Sequence, residues 1–196
     1  MESSALLTAE EFAAQRHEFP DGGRWTELIA GRPVALDPPD VEHGTVVLNL
    51  TKALGEFLQA ARDRDAAPGY PCFEMGLLVA RRPDTVRFPA LSFFAGEASF
   101  AEMDNIFTAR PPAIVVEVVS TQRRRSGIVE RINAYFEHGV RTVWILDPAT
   151  KEAHVAEPRR GVERLEGGAP LRGDPILAGF EIRTRDLFTA PKWWTG

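Results

Sequence analysis

The sequence predicts an α/β fold with a mixed central β-sheet flanked by helices. Two short runs, 113–119 and 142–146, are apolar at nearly every position, as expected of strands that are covered on both faces. Between them, residues 126–138 place apolar side chains at helical spacing, and Gly139 follows as a C-terminal cap. A strand, a helix and a strand at this spacing predict a parallel pair joined by a right-handed crossover.

Shorter signals predict the remaining elements. Thr8 and Glu11 fit a capping box at the start of a short helix over 9–17. Two β-like runs on either side of Ala30-Gly31 predict a hairpin, and the apolar spacing over 44–61 predicts a long helix with one buried stripe. The other expectations are strands over 72–80, 85–94, 152–157 and 162–165, and a segment over 96–112 that is mostly loop.

Length and composition are those of one soluble domain, expected over 1–196. Hydrophobic residues make up 44% and charged residues 26% of the chain, which excludes a disordered or a fibrous protein. The apolar runs are too short to cross a bilayer, and no secretory signal is recognised, so a cytoplasmic location is expected. Cys72 is the single cysteine, which excludes an intrachain disulfide framework and a cysteine-rich zinc site.

The charged residues are distributed unusually. The formal net charge of −5 argues against a general nucleic-acid coat protein, although a local basic patch remains open. Of the 23 basic residues, only Lys52, Lys151 and Lys192 are lysines. Chemistry that requires a lysine therefore has three places to find one.

Glu117 is the residue that most needs an explanation. It lies in the middle of a run that otherwise predicts a buried strand, where a carboxylate is costly unless a cation, a metal or a hydrogen-bond donor meets it. Its position beside the crossover is where α/β sheets often build a site. The alternative is a structural ion pair with Arg131 on the following helix. The sequence leaves both interpretations open.

Five short motifs occur in a specific order and spacing. They are Trp25–Gly31, Pro38–His43, Val115–Ser120, Arg131–Val140 and Val143–Pro148. In this arrangement the chain resembles the large bacterial family of putative restriction endonucleases, over about residues 20–188. The resemblance implies the restriction-endonuclease-like (PD-(D/E)XK) version of the predicted α/β fold.

The resemblance also implies a reaction and its residues. In active members an Asp after a Pro and a Glu on the next strand bind Mg²⁺, and a nearby Lys helps to activate the attacking water. Carried over, Glu117 is the metal ligand and a catalytic residue, Arg131 supplies the cation and Glu27 assists. Mg²⁺ or Mn²⁺ is then the cofactor if the protein is active, and DNA is the expected partner.

Two positions depart from the family pattern. The metal-binding Asp is replaced by Ala90, whose side chain offers no oxygen, and the Lys is replaced by Arg131. Arginine keeps the charge but cannot transfer protons. Glu74 or Asp84 are alternative sources of the missing acid, although each also fits a surface or turn position. The pattern predicts a nuclease fold with a degraded active site.

Basic residues near these motifs are candidates for contacts with nucleic acid. The candidates are Arg87, Arg123, Arg124 and Arg125. A solvated loop is the alternative interpretation. His43, at a helix start, is either a local hydrogen-bonding partner or a catalytic group. Trp193 and Trp194 are expected to pack back on the protein or to bury themselves in a homodimer.

Two functions therefore remain open. The first is metal-dependent hydrolysis of DNA, weak or lost because of Ala90 and Arg131. The second is a non-catalytic module that binds nucleic acid or a protein partner, in which Glu117 and Arg131 form a buried structural pair. The two differ in what Glu117→Gln does: it removes cleavage in the first case and mainly stability in the second.

Overall fold

The structure is a computed structural model that describes residues 5–64, 69–97, 105–165 and 168–191. The helices of these ranges are α1 (Ala9–Gln15), α2 (Val41–Arg62), α3 (Gln122–Ser126), α4 (Ile128–His138) and α5 (Thr184–Leu187), and two 3-10 turns cover Arg16–Glu18 and Pro20–Gly23. The strands of the first half are β1 (Thr26–Ile29), β2 (Arg32–Ala35), β3 (Gly69–Phe73), β4 (Gly76–Ala80), β5 (Thr85–Arg87), β6 (Leu91–Ala95) and β7 (Phe107–Thr108). Those of the second half are β8 (Ile114–Val118), β9 (Thr142–Asp147), β10 (Glu152–Glu157), β11 (Gly161–Leu165), β12 (Pro170–Arg172) and β13 (Glu181–Arg183).

The larger sheet has six strands in the order β11-β10-β9-β8-β6-β3. Its central strands β8 and β9 run parallel, with Ile114 paired to Thr142 and Glu117 paired to Ile145, and its other neighbours are antiparallel. The predicted mixed sheet with a parallel central pair is therefore confirmed. Every residue of β8 is buried, because α2 covers one face of the sheet and α4 covers the other.

Helix α2 follows the predicted apolar stripe but begins three residues earlier. Val46, Leu50, Leu54 and Leu58 form the stripe that packs on the sheet. The earlier start follows from Asp40, whose carboxylate accepts a hydrogen bond from the backbone N–H of His43 at 2.8 Å and caps the first turn.

The smaller sheet has five strands in the order β2-β1-β5-β4-β7, and the predicted hairpin supplies β1 and β2. The predicted continuous strands 72–80 and 85–94 were wrong. Each segment divides into one strand of each sheet, β3 and β4 in the first case and β5 and β6 in the second. The breaks occur at Glu74, with a left-handed φ of 50°, and at Pro89, which has no N–H for a sheet ladder. The chain thus passes between the two sheets at two neighbouring points.

The crossover consists of two helices, α3 and α4, which meet at Gly127 where one helix was predicted. Gly139 ends α4 in the predicted left-handed conformation, with φ 105°. The C-terminal elements β12, β13 and α5 were not predicted, since three or four residues are too few to show a period. Trp193 and Trp194 lie outside the described residues. No described helix is long and apolar enough to cross a membrane.

Candidate active site

A cluster of two acidic side chains, two arginines and a tyrosine lies where the two sheets meet α4. It consists of Glu27 from β1, Arg87 from β5, Glu117 from β8, and Arg131 and Tyr135 from α4. None of the five residues is more than 7% exposed. The structure therefore brings together the three residues predicted as catalytic, Glu27, Glu117 and Arg131.

Arg131 is the centre of this cluster. Its Nε and Nη2 donate to Oε1 of Glu117 at 2.9 and 2.8 Å, and its Nη1 donates to Oε2 of Glu27 at 2.7 Å. One planar guanidinium thus bridges two carboxylates that come from different sheets. The Arg131–Glu117 pair that the sequence left as an alternative is present.

The remaining donors complete the shell around the two carboxylates. Glu27 accepts a hydrogen bond from Nη1 of Arg87 at 3.1 Å and another from the backbone N–H of Phe88 at 2.8 Å. The hydroxyl of Tyr135 donates to Oε1 of Glu117. Sequence reasoning missed Tyr135, although its position four residues after Arg131 on one helix face was a usable signal. It also missed the contact of Arg87 with Glu27, which joins residues 60 positions apart.

The cluster is electrically balanced, since two carboxylates face two guanidiniums. Burial raises the pKa of Glu27, but Arg131, Arg87 and the Phe88 amide oppose this effect and hold that pKa below its usual value. Burial lowers the pKa of Arg131, and the two glutamates more than compensate, so the guanidinium stays charged. Burial raises the pKa of Tyr135, which keeps its hydroxyl protonated and able to donate.

The three consecutive arginines after β8 point to different surroundings. Arg125 forms an ion pair with Asp147 through contacts of 2.7 and 3.1 Å. Arg123 is exposed, whereas Arg124 is buried and lines a pocket beside the cluster. Arg87, the fourth residue predicted to contact nucleic acid, is buried against Glu27. The four residues do not form one continuous basic surface.

The pocket beside the cluster contains several residues that the sequence singled out. His43, Glu74, Ala90 and Arg124 all line it, together with the side of Glu27. Glu74 is exposed there, at the point where the chain leaves the larger sheet. Asp84 is elsewhere: its carboxylate accepts hydrogen bonds from the backbone N–H groups of Ala9 and Arg82 and from Arg81. It therefore anchors α1 to the β4–β5 turn.

The comparisons with known proteins agree with this architecture. The sequence model of the Uma2 family, described as putative restriction endonuclease, matches residues 9–185. The chain belongs to this family. A solved structure of a putative nuclease belonging to DUF820 from Anabaena variabilis superposes with a TM-score of 0.73 at 16% identity, over 93% of this chain and 97% of that one. No curated protein matches the sequence.

Family membership and the structural match confirm the predicted restriction-endonuclease-like fold. The family match begins before the expected residue 20 and includes α1. At 16% identity, the solved structure supports the fold alone. The fit of a metal must therefore be judged from the side chains of this chain.

The side chains present do not fit the divalent metal that the family resemblance implies. Ala90, at the position of the motif Asp, lines the pocket beside Glu27, and its side chain offers no oxygen ligand. Arg131 already donates to both Glu117 and Glu27. Within the described ranges, no group of three or more His, Cys, Asp or Glu side chains is arranged to hold a metal ion. A metal would have to displace a buried guanidinium from both carboxylates.

Removing Arg131 tests whether the cluster supports the fold. Arg131→Met leaves two buried carboxylates without their shared partner, and such a loss typically costs about 3–5 kcal/mol. We expect the free energy of unfolding at pH 7, measured with urea, to fall by about this amount. The matched control is Arg160→Met, which removes an exposed partner of Glu157 and costs no more than about 1 kcal/mol. Equal losses in the two variants would contradict a structural cluster.

The lowered pKa of Glu27 predicts acid sensitivity. Because the pKa is lower in the folded than in the unfolded protein, the ionised carboxylate stabilises the fold above its usual pKa of about 4.3. This contribution is lost as the pH falls through the lower, folded value. Urea unfolding at a series of pH values from 7 down to the acid limit should show stability declining less steeply in Glu27→Gln than in the wild type. Parallel pH profiles would contradict the assignment.

Proposed function

We propose that this protein is a nuclease-like module that binds nucleic acid and does not cleave it efficiently. One observation carries the proposal: the guanidinium of Arg131 donates both to Glu117, which the family resemblance assigns to the metal, and to Glu27, to which it assigns an assisting role. A buried positive charge held by both acids leaves a metal without its ligands. Family membership makes DNA the expected partner.

The other requirements of the reaction support the same conclusion. Ala90 stands at the position of the motif Asp and offers no ligand oxygen. Lys52 is exposed on α2 near Glu56, and Lys151 lies in the turn after β9, so neither described lysine reaches the cluster. Arg131 keeps its proton because its pKa is raised. Arg131 therefore cannot act as the general base or proton shuttle that the motif Lys would supply.

Metal-dependent hydrolysis of DNA is the second candidate function. It is favoured by the location of Glu74, whose side chain lines the same pocket as Ala90 and is exposed. Glu74 would then take the place of the missing Asp, with Glu117 as the second ligand of Mg²⁺ or Mn²⁺. This arrangement requires Arg131 to release Glu117 when the metal binds.

The proposal has three further parts, which come from the sequence. The chain forms one restriction-endonuclease-like domain over 1–196, it lies in the cytoplasm, and it pairs with a second copy. The experiments below therefore use the full chain, and its oligomeric state is measured alongside.

Nicking of supercoiled plasmid distinguishes the two candidate functions. We expect wild type and Glu117→Gln to show the same low background with Mg²⁺ and with Mn²⁺, because Glu117 is engaged by Arg131. The readout is the rate of conversion to open-circle DNA at equal protein concentration. Metal-dependent nicking by the wild type that is lost in Glu117→Gln and in Glu74→Gln would favour the enzyme and contradict the proposal.

The reverse substitutions provide a positive control for the assay. Ala90→Asp combined with Arg131→Lys restores both residue types of the motif. The rest of the chain has the fold of the nuclease family, as the family match and the structural comparison indicate. Gain of metal-dependent nicking in this double variant would show that the assay detects the reaction on this fold. Circular dichroism confirms that each variant used is folded.

A further inference from the structure

The pocket beside Ala90 contains buried polar groups that the ion cluster does not use. Arg124 is 8% exposed and His43 is 7% exposed, and both line this pocket. Nε of Arg124 and Nδ1 of His43 have no hydrogen-bond partner. A buried polar group without a partner is costly, so a polar ligand that reached these two side chains at one pocket would be stabilised by both.

Arg124 differs from Arg125 in having no counter-ion. Among the described residues, no ion pair or side-chain hydrogen bond involves its guanidinium, whereas Arg125 is held by Asp147. The backbone of Arg124 is fixed at the start of α3, where its N–H donates to the hydroxyl of Thr121 at 3.3 Å. The guanidinium is thus held at the pocket by the fold and not by an acidic partner.

The balance of charge at the pocket favours an anion. The charge of Glu27 is matched by Arg131 and Arg87. The other nearby acids, Glu74 and Asp40, are exposed, so water and salt screen them. The buried Arg124 is therefore the positive charge at this pocket that no described acid compensates, whereas Arg24, which also lines the pocket, is exposed and is screened in the same way as these acids.

His43 complements this charge as a neutral donor or acceptor. Burial, reinforced by the nearby charge of Arg124, lowers the pKa of His43 to about 4, so its ring is uncharged at neutral pH. A neutral imidazole carries one N–H. An oxygen of a bound anion would accept a hydrogen bond from this N–H, while the guanidinium of Arg124 balances the negative charge of the anion.

An exposed aromatic side chain next to the pocket indicates which class of anion the pocket binds. Phe73 is 41% exposed, and it lines two further pockets that share Glu74 with the first. Arg24 lines the first pocket together with Arg124 and the third pocket together with Phe73, so the ring and the two arginines lie along one stretch of surface. An exposed ring beside arginine side chains is the combination with which proteins bind single-stranded nucleic acid, with the base on the ring and the phosphate on a cation.

We propose that Arg124 and His43 bind a phosphate group of a single-stranded nucleic acid and that Phe73 stacks on one of its bases. This inference rests on the proposed function, because it assigns the residues through which a non-cleaving member would hold its ligand. It requires no metal and no bond breaking. The pocket lies beside the buried ion cluster, which keeps its structural role.

Fluorescence anisotropy of a labelled single-stranded DNA, without metal, tests these assignments. Loss of one charged hydrogen-bonding contact is worth about 1.5–3 kcal/mol, so Arg124→Gln should raise the Kd about tenfold or more. Phe73→Ala should raise it about fivefold or more, from the lost stacking. The matched control is Arg160→Gln, which removes the same charge at an exposed position outside the pocket and should change the Kd less than about twofold.

A second measurement separates a binding role from a structural one and identifies the source of the phosphate. Because Arg124 has no protein partner, Arg124→Gln should leave the melting temperature unchanged or raise it. Inorganic phosphate and a 5′-mononucleotide, titrated at pH 7, should both shift the His43 ring resonances in wild type, and the mononucleotide alone should also shift Phe73. A shift by inorganic phosphate only would identify a free-phosphate site and overturn the assignment to a nucleic acid.

The remaining outcomes distinguish this inference from the proposed function. Equal weakening of DNA binding by Arg124→Gln and Arg160→Gln would indicate a diffuse charge effect and overturn the pocket, while binding without cleavage would stand. Absence of DNA binding by the wild type would overturn the proposed function. In that case, absence of any His43 shift with phosphate would overturn the pocket as well.

Discussion

The contact of one guanidinium with two buried carboxylates is the constraint on which the rest of the structure depends. Arg131 comes from α4, Glu117 from the six-stranded sheet and Glu27 from the five-stranded sheet, so their hydrogen bonds join three layers at one point. Either carboxylate would be costly in this buried position without the guanidinium that the two share. The alternation of β8 explains the geometry, since Glu117 faces α4 while its neighbours Val116 and Val118 face α2.

The same contact determines what chemistry this site can perform. A site for a divalent metal needs carboxylate oxygens that are free to approach the ion, and here both acids are already neutralised by arginine. With alanine at position 90, Arg131 and Arg87 balance the charges of the two buried glutamates where the family pattern has a metal. Nε of Arg87 is the atom of this cluster without a partner in the described residues, and the adjoining pocket has two more, on Arg124 and His43. Stabilisation and ligand binding are thus divided between neighbouring sets of residues.

The sequence predicted the centre of the fold better than its periphery. The parallel strands and the helix stripe of α2 follow from local patterns, because burial on both faces and helical spacing are visible in a few residues. The pairing of Glu117 with Arg131 was one of two interpretations that these patterns left open. The division of 72–80 and 85–94 between two sheets could not be seen, since alternation does not tell which sheet a strand joins. The partner of Glu27 was missed for a related reason: Arg87 is distant in sequence and becomes a neighbour only when β1 pairs with β5. Tyr135 could have been predicted, because its spacing of four residues from Arg131 on one helix is visible in the sequence.

Titration of the full chain with Mn²⁺, followed by electron paramagnetic resonance of the free ion, tests most directly whether arginine has replaced the metal. The account predicts that the signal of free Mn²⁺ rises with added metal as it does in buffer, in both the wild type and Glu117→Gln, because no ligands are available. Binding of one Mn²⁺ per chain by the wild type, lost in Glu117→Gln, would show that the cluster opens to accept a metal and would contradict the account.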